Sequence, residues 1–304
     1  MKIATTTADF ERYIYSDADR IRELHRAGFK CIDLSLYNIE EVNRVYNDND
    51  FHREVEKLKS LAEELCVSYA QAHLPGGNPL QKDAEWEDFL RATLRSIEIC
   101  GMLGIKNAVI HAGWKSGIEK AEWQRENREF IDLLLPTLEK WGVNLLIENS
   151  TRANMGDRYY VNSGRELLDF IEFVNHPQVH ACWDTGHANC EGSQYEDILT
   201  LGEHLYAIHY NDNRGKSDEH LAPYMGTLNH DEVMCALIDA KYKGYFTLEC
   251  CSPLTPAKYW HGDRRVFERE TRLLEPKLTM QRKIEELLYE TAKHILSEYG
   301  MCEE

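Results

Sequence analysis

Trp141-Gly142-Val143-Asn144-Leu145-Leu146-Ile147-Glu148 ends a segment of helical period on a glycine, runs through a short apolar stretch and stops on a carboxylate. Glycine just past a helical stripe is a helix stop, because it enters the left-handed region without a Cβ penalty. An apolar run of four to six residues behind it reads as a strand buried on both faces. The same unit recurs along the chain. Candidate strands fall at Ile3–Thr6, Cys31–Leu36, Ser68–Ala72, Asn107–Ile110, Asn144–Ile147, His180–Trp183, Tyr206–Ile208 and Tyr245–Leu248. Between them lie segments of helical period: Phe51–Leu65, Trp86–Gly101, Trp123–Trp141, Gly164–Val174, Tyr195–Gly202 and His230–Lys241. Gly28, Gly104, Gly142 and Gly244 are the expected stops. Eight strands alternating with helices predict an α/β fold, a (β/α)8 barrel. A further helix, Lys277–Tyr299, is expected to pack on the barrel or on a second subunit. No Pro- or Gly/Ser-rich linker interrupts the pattern, so one domain is expected, with the barrel over about 1–252 and a C-terminal extension over about 253–304.

A barrel of this kind carries its chemistry at the C-terminal ends of its strands. There the sequence places His73, His111, Glu148, Asp184, His209 and Glu249, after strands three to eight in turn. The separations of 38, 37, 36, 25 and 40 residues each fit one strand–helix unit. Every one of the six is a metal-ligand type following a β-branched or aromatic run, where a buried polar side chain needs a partner. A single such histidine is an ordinary rim residue, but six in succession point to a metal site. Eight further histidines, His25, His52, His176, His180, His204, His230, His261 and His294, lack this recurrence and are read as structural or solvated.

The charge narrows the function classes. Thirty-five basic residues against 52 acidic ones give a net charge of −17, and no basic block is present to meet a phosphate backbone or an anionic membrane. No stretch approaches the ~20 apolar residues of a membrane span, and Met1–Phe10 lacks a signal-peptide core. Nine cysteines without a CxxC pair suggest reduced thiols and a cytoplasmic protein.

Four segments carry a family resemblance: Ile147-Glu148-Asn149, Trp183-Asp184-Thr185-Gly186-His187-Ala188-Asn189, Ile208-His209-Tyr210-Asn211-Asp212 and Lys216-Ser217-Asp218-Glu219-His220, with Leu248-Glu249 closing the set. In these the chain resembles the xylose isomerase-like barrel superfamily, within it the sugar phosphate isomerase/epimerase group similar to ketose 3-epimerases and inosose-processing enzymes. The resemblance covers nearly the whole chain up to the eighth strand. It implies a divalent cation on Glu148, Asp184, His209 and Glu249, with Mn²⁺ or Zn²⁺ suiting the ligands best and Co²⁺ or Mg²⁺ also compatible. It further implies a small sugar or cyclitol substrate whose carbon acid is activated as an enediolate, and Glu148 and Glu249 as the proton-transferring pair. His187 would hydrogen-bond the substrate, His73 and His111 would approach it, and Arg214 is the nearest arginine after the seventh strand. Trp114, in the loop after His111, is placed to stack on a sugar ring or to pack at the rim.

His73, His111, His187, Asp218 and His220 are also further candidate ligands. With the first four they match the nine-ligand pattern of the superfamily's trinuclear zinc AP endonucleases. The rival expectation is therefore hydrolysis of a DNA phosphodiester. Against it stand the −17 charge and two loops without a basic residue, Leu74–Leu80 and Glu219–Met225. An inosose dehydratase-like lyase and a non-catalytic binding barrel are the remaining alternatives. Gly76-Gly77 and Gly215-Lys216-Ser217 lack the spacing of a phosphate cradle and read as turns. The mixed-charge run Asp263–Arg272 reads as a solvated face.

Overall fold

A computed structural model describes residues 1–156, 159–251, 253–254 and 276–303. His261 and the run Asp263–Arg272 lie outside the described residues. Eight strands form one parallel sheet: β1 Ile3–Thr6, β2 Cys31–Ser35, β3 Ser68–His73, β4 Asn107–His111, β5 Asn144–Glu148, β6 Val179–Asp184, β7 Leu205–His209 and β8 Phe246–Leu248. They pair in the order β7-β6-β5-β4-β3-β2-β1-β8. A parallel bridge between Tyr210 and Leu248 draws β7 and β8 together, so the sheet curls into a nearly closed (β/α)8 barrel. Helices α1 Asp17–Ala27, α2 Ile39–Val45, α3 Phe51–Leu65, α4 Trp86–Leu103, α5 Lys120–Trp141, α6 Arg152–Met155, α7 Gly164–Val174, α8 Thr185–Glu191, α9 Tyr195–Leu201, α10 His230–Asp239 and α11 Leu278–Glu298 surround or cap it.

The alternation of side chains sorts the core into two parts. Ala4, Cys31 and Ala70 pack together, as do Val109, Leu146, Cys182 and Ala207, in two small groups apart from the main core. Their strand neighbours point outward into the larger core beneath the helices. Trp183 is fully buried there, as its alternation with Asp184 requires, and its Nε1 donates to Gln194 Oε1.

Three of the four expected glycine stops cap their helices in the left-handed region: Gly28 (φ 114°) after α1, Gly104 (φ 75°) after α4 and Gly142 (φ 63°) after α5. Gly244 does not. The turn after α10 is made by Lys241 at φ 55°, and Gly244 instead fits closely against the Tyr242 hydroxyl and the Tyr206 carbonyl. Cys66 takes the same left-handed position after α3.

The C-terminal helix α11 packs against β1, β8 and α1, the place of an eighth outer helix. Ile284, Leu288, Ala292, Ile295 and Leu296 form its buried stripe. Arg282 fixes it to α1 through a two-pronged contact with Glu23, at 2.7 and 2.8 Å. All nine cysteines are free thiols. Among the described residues, no helix is long and apolar enough to cross a membrane.

Candidate metal centre

Register sets the height of each polar strand end. His111 pairs with Glu148 across β4 and β5, and Asp184 with His209 across β6 and β7. Glu249 follows β8 directly, and Asp218 and His220 come from the loop after β7. Three groups result, each with one ligand atom per residue and those atoms within 4.8 Å of one another: His73, His111 and Glu148; Glu148, Asp184, His209 and Glu249; and His187, Asp218 and His220. Glu148 belongs to two of them. Its Oε2 lies 3.3 Å from His73 Nε2 and 3.4 Å from His111 Nε2, while its Oε1 lies 2.9 Å from His209 Nδ1. Glu249 Oε2 is 3.4 Å from the same His209 Nδ1. In the third group Asp218 Oδ2 sits 3.1 Å from both His187 Nε2 and His220 Nε2.

The groups floor a cavity of about 580 Å³, lined on that side by His73, His111, His187, Asp218, His220 and Glu249. Glu148, Asp184 and His209 lie behind this lining and are fully buried. Trp114 and Arg214 are not brought to the cavity. Trp114 is 41% exposed, tied through its backbone to Asn78, and the Arg214 guanidinium meets Glu219 at 2.6 Å.

Does this donor set fit a cation? Glu148 Oε2, His187 Nδ1, His111 Nδ1 and Asp218 Oδ1 are buried without a hydrogen bond, a costly state unless something else meets them. His73 donates Nδ1–H to the Leu74 carbonyl (2.8 Å) and His220 donates Nδ1–H to that of Glu249 (2.9 Å). When these rings are neutral, each therefore turns the lone pair of Nε2 toward its group. Burial depresses the His111 imidazole to about 4, which keeps it neutral. Burial alone would lower His187 too, but Asp184 and Asp218 carry it up to about 10. Burial works to raise Glu148, yet the charge and hydrogen bond of His209, with the hydrogen bond of His73, outweigh it and hold the carboxyl well below its usual range. Burial dominates at Asp184 and Glu249, whose carboxyls are raised. The upward pull of Asp184 and Asp218 on His187 marks a surplus of negative charge in the site, which a divalent cation would balance. The residues fit such a cation.

A second layer holds these side chains, and it escaped the sequence reading. Asp33, fully buried in β2, places Oδ2 3.3 Å from His209 Nε2, and Gln71 reaches the same nitrogen at 2.8 Å. Asn211 Nδ2 donates to Asp184 Oδ2 (2.7 Å), and Asn149 Oδ1 accepts from the Asp184 amide (2.6 Å). Asp184 also caps α8, accepting from the His187 amide at 2.6 Å. This turn requires a glycine, since a Cβ on Gly186 would stand 1.9 Å from Asn211 Oδ1. From the wall, Asn154 Nδ2 donates to Asp218 Oδ2 (3.0 Å).

Comparison with known proteins gives this arrangement a context. A D-psicose 3-epimerase of Ruminiclostridium cellulolyticum is 28% identical over 132 residues, 43% of this chain and 42% of that one. The chain spans between 42% and 60% of the length of the curated relatives it matches. Among solved structures, D-psicose 3-epimerase with D-tagatose from Clostridium cellulolyticum H10 superposes with a TM-score of 0.74 at 18% identity, over 97% of this chain and 99% of that one. The IOLI protein with a bound zinc atom superposes at 0.73 and 15% identity, over 98% and 99%. Both structures share the fold. The model of the xylose isomerase-like TIM barrel matches residues 21–270, more than half of the sequence, and the chain belongs to that family.

Proposed function

We propose that the protein is a divalent-metal-dependent isomerase or epimerase of a small ketose, cyclitol or related polyol. The observation that carries this reading is the group Glu148, Asp184, His209 and Glu249, gathered at the floor of a cavity of sugar size. These four residues would hold the cation. When bound, it would supply Lewis-acid activation of the C–H bond between two substrate oxygens. Proton transfer falls to Glu249 and Glu148. Glu249 reaches the cavity wall directly, and Glu148 stands behind it, each within 3.4 Å of His209 Nδ1. Two carboxyls placed together can divide the roles of base and acid in one proton transfer. His187 on the lining donates to a substrate oxygen, while His73 and His111 close the adjacent side.

The test is direct. Protein purified without chelator is expected to carry about one to three divalent ions per chain, one for each group that fills. Glu148→Gln should abolish exchange of the substrate's carbon-bound proton with solvent deuterium while the fold stays intact. Unchanged exchange removes Glu148 from the mechanism.

A second reading has its own support. Two of the three groups share Glu148 and the third stands beside them on the same cavity, an arrangement that also suits a multinuclear phosphodiesterase. The loops over the cavity disfavour it: Glu219 occupies Arg214, and Leu74–Leu80 holds no cationic side chain. Absence of incision of an abasic-site duplex at low salt by the zinc-loaded protein dismisses the nuclease.

A further inference from the structure

One polar contact on the cavity wall has no part in the chemistry above. Asp9 lies in the 3-10 turn Thr7–Phe10 directly after β1, only 4% exposed, and lines the cavity. Its Oδ2 accepts from the Thr5 hydroxyl at 2.9 Å, while Oδ1 is buried without a hydrogen bond. Opposite it stands Glu285 of α11, fully buried, whose Oε1 accepts from Gln281 Nε2 at 2.8 Å and whose Oε2 is likewise unmatched. The two carboxyls interact directly. Facing carboxyls out of water do not both stay ionised, so one proton joins them. Burial, the largest influence on each, raises both carboxyls, Glu285 well above its usual range and Asp9 to about 7.

Stability does not account for such a pair, because buried ionisable groups are commonly replaced by apolar ones without loss. Position does. β8 and β1 are paired neighbours, so Asp9 is the next polar station around the barrel from Glu249. A substrate seated at Glu249 and extending past it along the wall meets Asp9, whose carboxylate oxygens each have a second lone pair to offer.

We propose that Asp9 receives a hydroxyl of the polyol substrate, and that Glu285 is the positioning residue that holds Asp9 in place from α11. The inference rests on the sugar-isomerase reading of the site. Steady-state exchange in D₂O is first measured with a panel of ketoses and inososes, then repeated on the best substrate with Asp9→Asn, Glu285→Ala, Glu285→Gln and Thr5→Val. Melting temperature and metal content serve as controls. Asp9→Asn is expected to raise KM about ten-fold, the loss of one hydrogen bond to a charged acceptor, with kcat little changed. Glu285→Ala and Thr5→Val should raise KM several-fold, whereas Glu285→Gln, which keeps an N–H for Asp9, should restore it to within about two-fold of wild type. An unchanged KM in the folded variants, with only the melting temperature moved, makes the pair a structural brace and overturns the inference. No exchange by the wild-type protein on any substrate overturns the reading of the site and this inference with it, a distinct result.

Discussion

Removing the carboxylate of Asp33 perturbs the candidate centre without touching a single candidate ligand. Asp33 Oδ2 and His209 Nε2 are 3.3 Å apart, and both side chains are out of water. Two full charges at that distance attract by about 5 kcal/mol at an effective dielectric of ~20. A neutral ring ligating through Nδ1 presents only an N–H dipole to Asp33, so the useful part is smaller. Loss of a partner behind a ligating histidine typically weakens metal binding ~10–100-fold, or about 1.4–2.7 kcal/mol. Asp33→Asn keeps an oxygen that can accept from Nε2–H and belongs at the lower end. Asp33→Leu removes the acceptor and belongs at the upper end. Competition against a zinc-responsive chelator measures the change, and circular dichroism of the cation-free protein checks the fold. A dissociation constant identical to wild type in both folded variants would refute the reasoning, because His209 would then need no anchor behind it.

Chelation offers a coarser check. If the groups hold a cation, a hundred-fold excess over Kd should stabilise the protein by about 2.7 kcal/mol, and dialysis against chelator should remove that gain in a thermal melt. Gly186→Ala drives a methyl to 1.9 Å from Asn211 Oδ1, so Asn211 must release Asp184. A loss of about 1–3 kcal/mol is expected in urea denaturation, and an unchanged midpoint would show that α8 shifts freely. The contact between Glu23 and Arg282 yields a pH dependence. Hydrogen bonding to Arg282 holds the Glu23 carboxyl below its usual value against a smaller effect of burial. Its contribution is therefore present above the ordinary carboxylate pKa and lost as pH falls through the lowered one. Arg282→Met should destabilise only slightly at pH 7, since Arg282 is 44% exposed, and that cost should vanish once the pH falls below the lowered Glu23 pKa. A cost that persists in acid would assign it to packing.

Much of the architecture was legible because a strand buried on both faces, a glycine stop and an amphipathic helix leave separate marks. The unit around Gly142 shows all three. The strand-end residues were legible for a related reason, since a histidine or carboxylate closing an apolar run has few bland explanations. Asp33 was not, because one aspartate within Cys31–Ser35 reads the same whether it faces water or His209. Gln71, Asn149 and Asn211 are neutral amides that local sequence does not distinguish from turn formers. Asp9 and Glu285 stand 276 positions apart, and only the docking of α11 on β1 and β8 joins them. A signal was present in α11 all the same, since Gln281 and Glu285 fall on its buried stripe, where a polar residue needs a reason. Trp114 and Arg214 show the opposite failure. Proximity in sequence to a strand end suggested a role, and neither side chain lines the cavity.

Among the described residues, the Tyr210–Leu248 bridge is the one β-bridge that joins β7 to β8, made by the Tyr210 amide on the Thr247 carbonyl (2.7 Å) and the Glu249 amide on the Tyr210 carbonyl (3.2 Å). This slender seam runs between His209 and Glu249. The barrel can therefore breathe there, spreading two facing side chains without unzipping the other seven strand pairings. A cation shared by those two side chains would act as a clasp across the gap. Ring closure then becomes coupled to cation supply: the amides of Tyr210 and Glu249 would exchange with deuterium more slowly as the clasp fills, while those of β4 and β5 keep their own pace.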